Sequence, residues 1–296
     1  MIRVFPRKTN ATPFDDKVYF TGPPLVPLDD REVHVSCVFT WDKPKAEGLA
    51  EEWRRQGYDV KVGGPAYGDP GGEFVPGRYL KPGYTLTSRG CNNRCWFCYV
   101  WKREGNIREL PILDGWRVLD SNLLQCSESH IRAVFAMLQR QPMPVGFLGG
   151  LEARILEDWH VDLLATLKLS QCYFAYDTAD DYEPLANAAK KVFQICSPAS
   201  HRICCYVLVG YRGDTFAAAA RRIEQVKELG FMPFAMLYRD DVGKRDPKWI
   251  SFQSQNANPV KIFGKEKGNE FGDDYLFTGT QTNKAVLCDG TGPDLL

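Results

Sequence analysis

Apolar and polar positions follow two alternating periods from residue 83 to residue 241. Short, continuous apolar runs are typical of strands covered on both faces, and between them apolar residues recur at helical spacing. The clearest helical stripe joins Ile131, Val134, Phe135 and Leu138, which follow the i, i+3, i+4, i+7 pattern. The pattern predicts strands over 84–88, 145–148, 173–176, 203–209 and 232–238, and helices over 127–141, 161–169, 183–193 and 213–229.

Strands that alternate with helices at this spacing predict β/α units and a parallel sheet, for which right-handed crossovers are nearly obligatory. The sequence therefore predicts an α/β fold. Five strands are evident in the 83–241 region, so a sixth is either missing or comes from residues after 245 or from the N-terminal segment. The tail, 242–296, mixes glycine, asparagine and lysine with short apolar pieces and shows no core pattern.

The first 82 residues divide into two parts by composition. Residues 1–32 are rich in proline and polar residues and predict an extended N-terminal arm. Residues 33–82 begin with a small β-α-β segment, with strands over 33–39 and 59–62 and a helix over 45–56, and end in a linker rich in glycine and proline.

Composition and charge narrow the class of protein. Of 296 residues, 44% are hydrophobic and 25% charged, which is ordinary for a globular protein. The 37 lysines and arginines balance 37 aspartates and glutamates, so no overall field indicates a nucleic-acid partner, although none is excluded. No apolar run is long enough to span a bilayer, and the N-terminus lacks the pattern of a secretory signal. We expect a cytoplasmic protein without a membrane partner.

The strongest chemical signal is a group of three cysteines. Cys91, Cys95 and Cys98 follow C-x-x-x-C-x-x-C spacing directly after the first predicted strand. Three thiolates so close together predict a metal site, and an iron–sulfur cluster held by three cysteines keeps one iron open to another ligand. A structural zinc site requires four ligands, and no second Cys/His pair follows at finger-like distance. The other seven of the ten cysteines lie mostly in apolar runs, which predicts buried, reduced thiols.

The cysteine spacing, with Phe97 just before the third cysteine, resembles the signature of the radical S-adenosylmethionine (SAM) superfamily. The resemblance implies a partial parallel (β/α) barrel over 83–241, and a 4Fe-4S cluster on Cys91, Cys95 and Cys98 that chelates SAM. It also implies reductive cleavage of SAM to a 5′-deoxyadenosyl radical, which abstracts hydrogen from an unidentified substrate. Such an oxidoreductase or transferase takes its electron from a donor such as flavodoxin or ferredoxin.

The resemblance also assigns residues that bind the SAM cofactor, whereas catalytic residues are not identified. The stretch 149–152 is similar to the glycine-rich motif that binds the SAM amino group, and 207–215 is similar to the strand and turn that pack on adenine. The resemblance also implies that Asp177 or its neighbour Tyr176, at the end of a predicted strand, reaches the ribose or the methionine carboxylate. The implied cofactor-binding residues are Phe97, Gly149, Gly150, Leu151, Glu152, Asp177, Val209 and Gly210.

Residues 62–68 resemble the last crossover of the cobalamin-binding domain found upstream in one branch of the superfamily. The segment lacks that domain's Asp-x-His-x-x-Gly loop, so we expect a truncated remnant over 33–82 and no cobalamin. A radical SAM methyltransferase is the alternative within the class. Outside it, the alternative is a zinc-binding module that contacts nucleic acid through the basic, aromatic loop 101–108. In the enzyme we expect that loop and the tail, 242–296, to cover the barrel mouth.

Overall fold

The computed structural model describes residues 1–69, 71–198, 202–240, 243 and 245–257. The described chain divides into two compact units, the first built on residues 1–141 and the second on residues 142–239 and 245–257. Both units combine parallel strands with helices, so the predicted α/β class is confirmed. In the described part of the chain, helices are too short or too polar to cross a membrane.

The first unit begins with a four-stranded parallel sheet. Its strands are β1 (Ile2–Val4), β2 (Val18–Tyr19), β3 (Glu32–Ser36) and β4 (Asp59–Gly63), in the order β2-β1-β3-β4, and helix α1 (Lys43–Arg55) joins β3 to β4. The helix buries Ala46, Leu49, Ala50 and Trp53. The predicted β-α-β segment is therefore present. Residues 1–32 differ from the expected extended arm, because they supply β1, a buried strand inside the sheet, and β2.

The rest of the first unit carries short strands. They are β5 (Tyr84–Thr85), β6 (Ser88–Arg89), β7 (Arg108–Glu109) and β8 (Arg117–Val118), with helices α2 (Val100–Glu104) and α3 (Glu128–Gln139). The single run predicted over 84–88 is in fact two strands, because β5 pairs in parallel with β8 whereas β6 pairs antiparallel with β7. Strand β8 is a parallel strand that the sequence pattern did not predict. A sixth strand was expected after residue 245 or in the N-terminal segment, or was expected to be missing. The two residues of β8 are too few to show a period.

The second unit contains four parallel strands in the order β9-β10-β11-β12. They are β9 (Val145–Phe147), β10 (Leu169–Tyr176), β11 (Ile203–Val209) and β12 (Met232–Leu237), with helices α4 (Asp158–Ala165), α5 (Tyr182–Val192), α6 (Phe216–Glu228) and α7 (Pro247–Asn256). All seven residues of β11 are buried, as its continuous apolar run predicts. Leu169, predicted in a helix, begins β10 because it pairs with Val145.

Helix α7 lies in the tail that shows no core pattern in the sequence. It packs on β12, the outer strand of this sheet, where the side-chain amide of the fully buried Gln253 donates to the Ala235 carbonyl at 3.2 Å. The Trp249 ring stacks on Phe216 with 4.2 Å between centroids. Covering an outer strand with a helix protects its unpaired backbone groups. This part of the tail thus belongs to the second unit, and 258–296 lie outside the described residues.

Candidate metal-binding loop and strand-end residues

Residues 91–98, the cysteine loop, connect β6 to the start of α2. The loop is closed at its base by the β6–β7 pair and by a hydrogen bond from the Cys91 amide to the Gly105 carbonyl, at 3.1 Å. Gly90 enters the loop at φ 85°, and a Cβ there would collide with the backbone of Gly105 and Asn106. Only glycine fits this conformation without displacing the backbone of those two residues.

The three cysteines of the loop are half-buried, and none forms a disulfide. Cys95 and Cys98 share one turn, in which the Cys98 amide donates to the Cys95 carbonyl at 3.1 Å. The Trp101 indole donates to the same carbonyl at 2.9 Å. The Asn122 side-chain amide lies 3.6 Å from the Cys91 sulfur, in position to donate to it. One short loop thus presents three thiols that are not in disulfides.

The described residues contain no group of three or more His, Cys, Asp or Glu side chains arranged to hold a metal ion. The donors themselves fit an iron–sulfur cluster, because cysteine thiolates are its usual ligands and these three are reduced, partly exposed and on one loop. The loop therefore fits such a cluster by its donor chemistry.

The cysteines outside the loop have a different environment. Burial raises the pKa of the Cys37 and Cys204 thiols to about 12 and that of Cys126 to about 11. It also raises the pKa of Cys172 and Cys205. Such thiols stay protonated at neutral pH and are poor ligands. The predicted burial is confirmed for Cys37, Cys172, Cys204 and Cys205, whereas Cys126 and Cys196 are half-buried and Cys288 lies outside the described residues.

The two arginines of the basic loop 101–108 are paired within the first unit. The Glu104 carboxylate, with a side chain 1% exposed, accepts from the Gly90 amide at 2.9 Å and pairs with Arg103 at 2.7 Å. Arg108 donates to the carbonyls of Glu104 and Gly71 at 2.8 and 3.0 Å. These two arginines therefore support the base of the cysteine loop. Lys102 is exposed, and its ammonium lies over the neighbouring Tyr99 and Trp101 rings.

In the second unit, the glycine-rich stretch predicted to bind SAM follows β9. Gly150 adopts φ 96°, which turns the chain so that the Leu151 amide donates to the Tyr173 carbonyl of β10 at 2.7 Å. The Leu151 side chain is 3% exposed and joins the core. Glu152 lies at the end of this stretch, 4.0 Å from Arg154. The stretch is thus fixed against the neighbouring strand.

Asp177 follows β10 at the same ends of the strands. Its carboxylate accepts from the Leu208 amide of β11 at 3.2 Å. Burial above all, and then the nearby Asp181 and Glu152, raise the pKa of this carboxyl to about 7, while the Leu208 hydrogen bond and Arg222 oppose the shift. The structure therefore brings Glu152 and Asp177 into one electrostatic environment, where Asp177 changes charge near neutral pH.

Val209 and Gly210, predicted to contact adenine, close this strand end. Val209 is fully buried, and its carbonyl accepts from the Tyr238 amide at 2.9 Å. Gly210 has φ 74°, and a Cβ on it would collide with the Leu237 and Trp249 side chains. Its amide donates to the Asp214 carboxylate at 2.8 Å. An indole thus covers this side of Gly210.

Polar residues after β8 were missed by sequence analysis. Asp120 is 2% exposed and accepts from the Thr87 amide and the Ser88 hydroxyl, each at 2.7 Å. Burial raises the pKa of the Asp120 carboxyl. Gln125 contacts the cysteine loop through its side-chain amide. The available signal was a polar run, 120–122, directly after an apolar pair and shortly before a helix cap.

The chain matches no protein-family model and no curated protein.

Proposed function

We propose that this chain is a radical SAM enzyme in which Cys91, Cys95 and Cys98 bind a 4Fe-4S cluster. The observation that carries the proposal is one loop, closed at its base, that presents three partly exposed thiols outside any disulfide. Three cysteine ligands suit a cluster whose fourth iron takes an exogenous ligand. The buried thiols elsewhere in the described chain, with their raised pKa values, do not compete for the iron.

Bound to Cys91, Cys95 and Cys98, such a cluster would supply the electron for cleavage of SAM to methionine and a 5′-deoxyadenosyl radical, and that radical would abstract hydrogen from the substrate. The residues of this chain bind and orient. The three thiolates hold the iron, and the strand-end residues Gly149 to Glu152 and Asp177 bind polar groups of SAM. Because the pKa of Asp177 is about 7, this carboxyl binds a proton on the acid side of neutral pH and releases it above.

The substrate is unidentified, and a flavodoxin or ferredoxin supplies the electron under this proposal. Transfer of a methyl group is the alternative reaction within the class. The truncated β-α-β segment has no Asp-x-His-x-x-Gly loop, so the proposal includes no cobalamin.

The test is anaerobic reconstitution with iron and sulfide. We expect a brown protein with about four irons per chain and, after reduction with dithionite, cleavage of SAM to 5′-deoxyadenosine. Cys204→Ala is the matched control, because it removes a buried thiol and leaves the loop intact. A colourless protein that holds zinc and no iron contradicts the proposal and supports the zinc-binding alternative.

A further inference from the structure

The segment 118–124 forms a rigid support beside the cysteine loop. Most of its side chains are nearly inaccessible: Val118, Leu119, Asp120, Asn122, Leu123 and Leu124 are each no more than 6% exposed. Asp120 ties it to Thr87 and Ser88 just before the loop, through hydrogen bonds at 2.7 Å. Side chains carried by so well packed a segment lose little further freedom when they hold a partner.

Asn122 extends from this support toward the first cysteine. Its side-chain amide nitrogen lies 3.6 Å from the Cys91 sulfur, a distance at which an N–H donates to the larger sulfur atom. Asn122 is 4% exposed, so its interaction with the Cys91 sulfur is shielded from water. Electrostatic interactions are stronger in such a buried environment than in water. Hydrogen bonds to ligand sulfurs are among the factors that set the reduction potential of an iron–sulfur cluster.

Gln125 holds the next two residues of the loop with both ends of its amide. The side-chain oxygen accepts from the Asn92 backbone amide at 2.7 Å, and the side-chain nitrogen donates to the Asn93 side-chain oxygen at 3.1 Å. The Asn92 side chain in turn accepts from the Ile107 amide at 3.0 Å. Asn92 is therefore held by both its backbone and its side chain, and Asn93 is held by its side chain.

We propose that Asn122 and Gln125 are positioning residues for the cluster, with Asn122 raising its reduction potential through the Cys91 sulfur and Gln125 holding the cysteine loop through Asn92 and Asn93. The inference rests on the proposed function. A donor to a ligand sulfur stabilises the more negative, reduced state of a cluster. Removing it lowers the potential, whereas loosening the loop weakens iron retention without this specific shift.

The experiment compares Asn122→Leu, Gln125→Leu and the control Asn106→Leu, which alters an exposed residue near the loop. Each full-length protein is reconstituted anaerobically. Iron content, the rate of iron loss to a chelator, and the midpoint potential by redox titration are then measured. Asn122→Ala replaces Asn122→Leu if the latter does not fold, and the thermal unfolding midpoint reports folding.

We expect Asn122→Leu to keep its iron and to lose about tenfold in the reduction equilibrium, which is a fall of about 59 mV for one electron. Gln125→Leu is expected to lose iron about tenfold faster at a nearly unchanged potential. Unchanged potential in the Asn122 variants together with unchanged iron loss in Gln125→Leu overturns the inference and leaves the proposed function standing. Wild-type protein that takes up no iron overturns the proposed function, and this inference with it.

Discussion

The cysteine loop and strand β11 use the same residue type in opposite ways. Cys204 and Cys205 are fully packed inside β11, and burial raises the pKa of both thiols. Cys91, Cys95 and Cys98 lie half-buried on a loop that is tied at its base and supported by Asn122 and Gln125. Burial keeps a thiol protonated and inert, whereas partial exposure on a fixed loop leaves it available to a metal.

Exposure and loop geometry, rather than spacing in the sequence, separate the loop cysteines from the core cysteines. Proximity in sequence alone does not, since Cys204 and Cys205 are adjacent. Adjacent residues in a strand point to opposite faces, so both thiols enter packing layers. In the loop, a turn at Cys95 to Cys98 places two thiols within one hydrogen-bonded segment.

Removal of one loop cysteine should have the largest effect. We expect Cys91→Ala, Cys95→Ala or Cys98→Ala each to abolish cluster retention, because two remaining thiolates do not hold a cubane. Iron per chain after anaerobic reconstitution measures this. Cys37→Ala and Cys204→Ala serve as controls, since both thiols are buried, and should keep the iron. A loop variant that retains full iron would contradict the assignment.

Protonation of the strand-end site gives the next largest effect. The Asp177 carboxyl has a pKa of about 7 against an ordinary value of 3.8. Between these values the folded state binds a proton that the unfolded state does not, so the contribution of Asp177 to stability falls as pH rises from about 4 through 7. At about 1.4 kcal/mol per pH unit, the free energy of unfolding falls by up to about 4 kcal/mol over this range.

Asp177→Asn removes that titration and keeps an oxygen to accept from the Leu208 amide. We expect the variant to match wild type in free energy of unfolding near pH 4 and to exceed it at pH 8, as measured by urea unfolding. Asp180→Asn, at an exposed neighbour, is the control and should follow wild type at both values. Equal pH profiles for wild type and Asp177→Asn would remove Asp177 as a titrating group.

Helix α7 tests the tail in the same terms. The Trp249 ring lies against Gly210 and stacks on Phe216. We expect Trp249→Ala to lower the free energy of unfolding by about 3 kcal/mol, through lost packing, while iron content is unchanged. Denaturant unfolding and iron analysis measure the two. Phe216→Ala, at a ring 42% exposed, should cost less. Lost iron in Trp249→Ala would show that the helix serves the cluster.

Long periodic elements were predictable, whereas contacts between short elements were not. Strand β11, helix α3 and its Ser127 cap follow directly from apolar runs, helical spacing and a capping residue. Strand β8 has only two residues, and α7 has a weak pattern that its neighbours in space stabilise. The support from Asn122 and Gln125 escaped because side-chain contacts over about thirty residues leave no local period.

The smallest effect is expected from substitution of two glycines at the base of the cysteine loop. Gly90 and Gly105 both have positive φ, 85° and 74°, so alanine strains either backbone by about 1–3 kcal/mol. They differ in space, because a Cβ on Gly90 would collide with the Asn106 carbonyl, whereas one on Gly105 meets nothing within 4 Å. That carbonyl is backbone and cannot rotate away, so Gly90→Ala must displace the loop entrance or the strand opposite it. We expect Gly105→Ala to cost about 1–3 kcal/mol through backbone strain alone and to keep its iron, and Gly90→Ala to cost more than Gly105→Ala and to lower iron retention. Urea unfolding and iron content measure both variants. Equal iron content in the two would show that the loop binds metal without the fixed entrance, and the contrast with β11 would then rest on exposure alone.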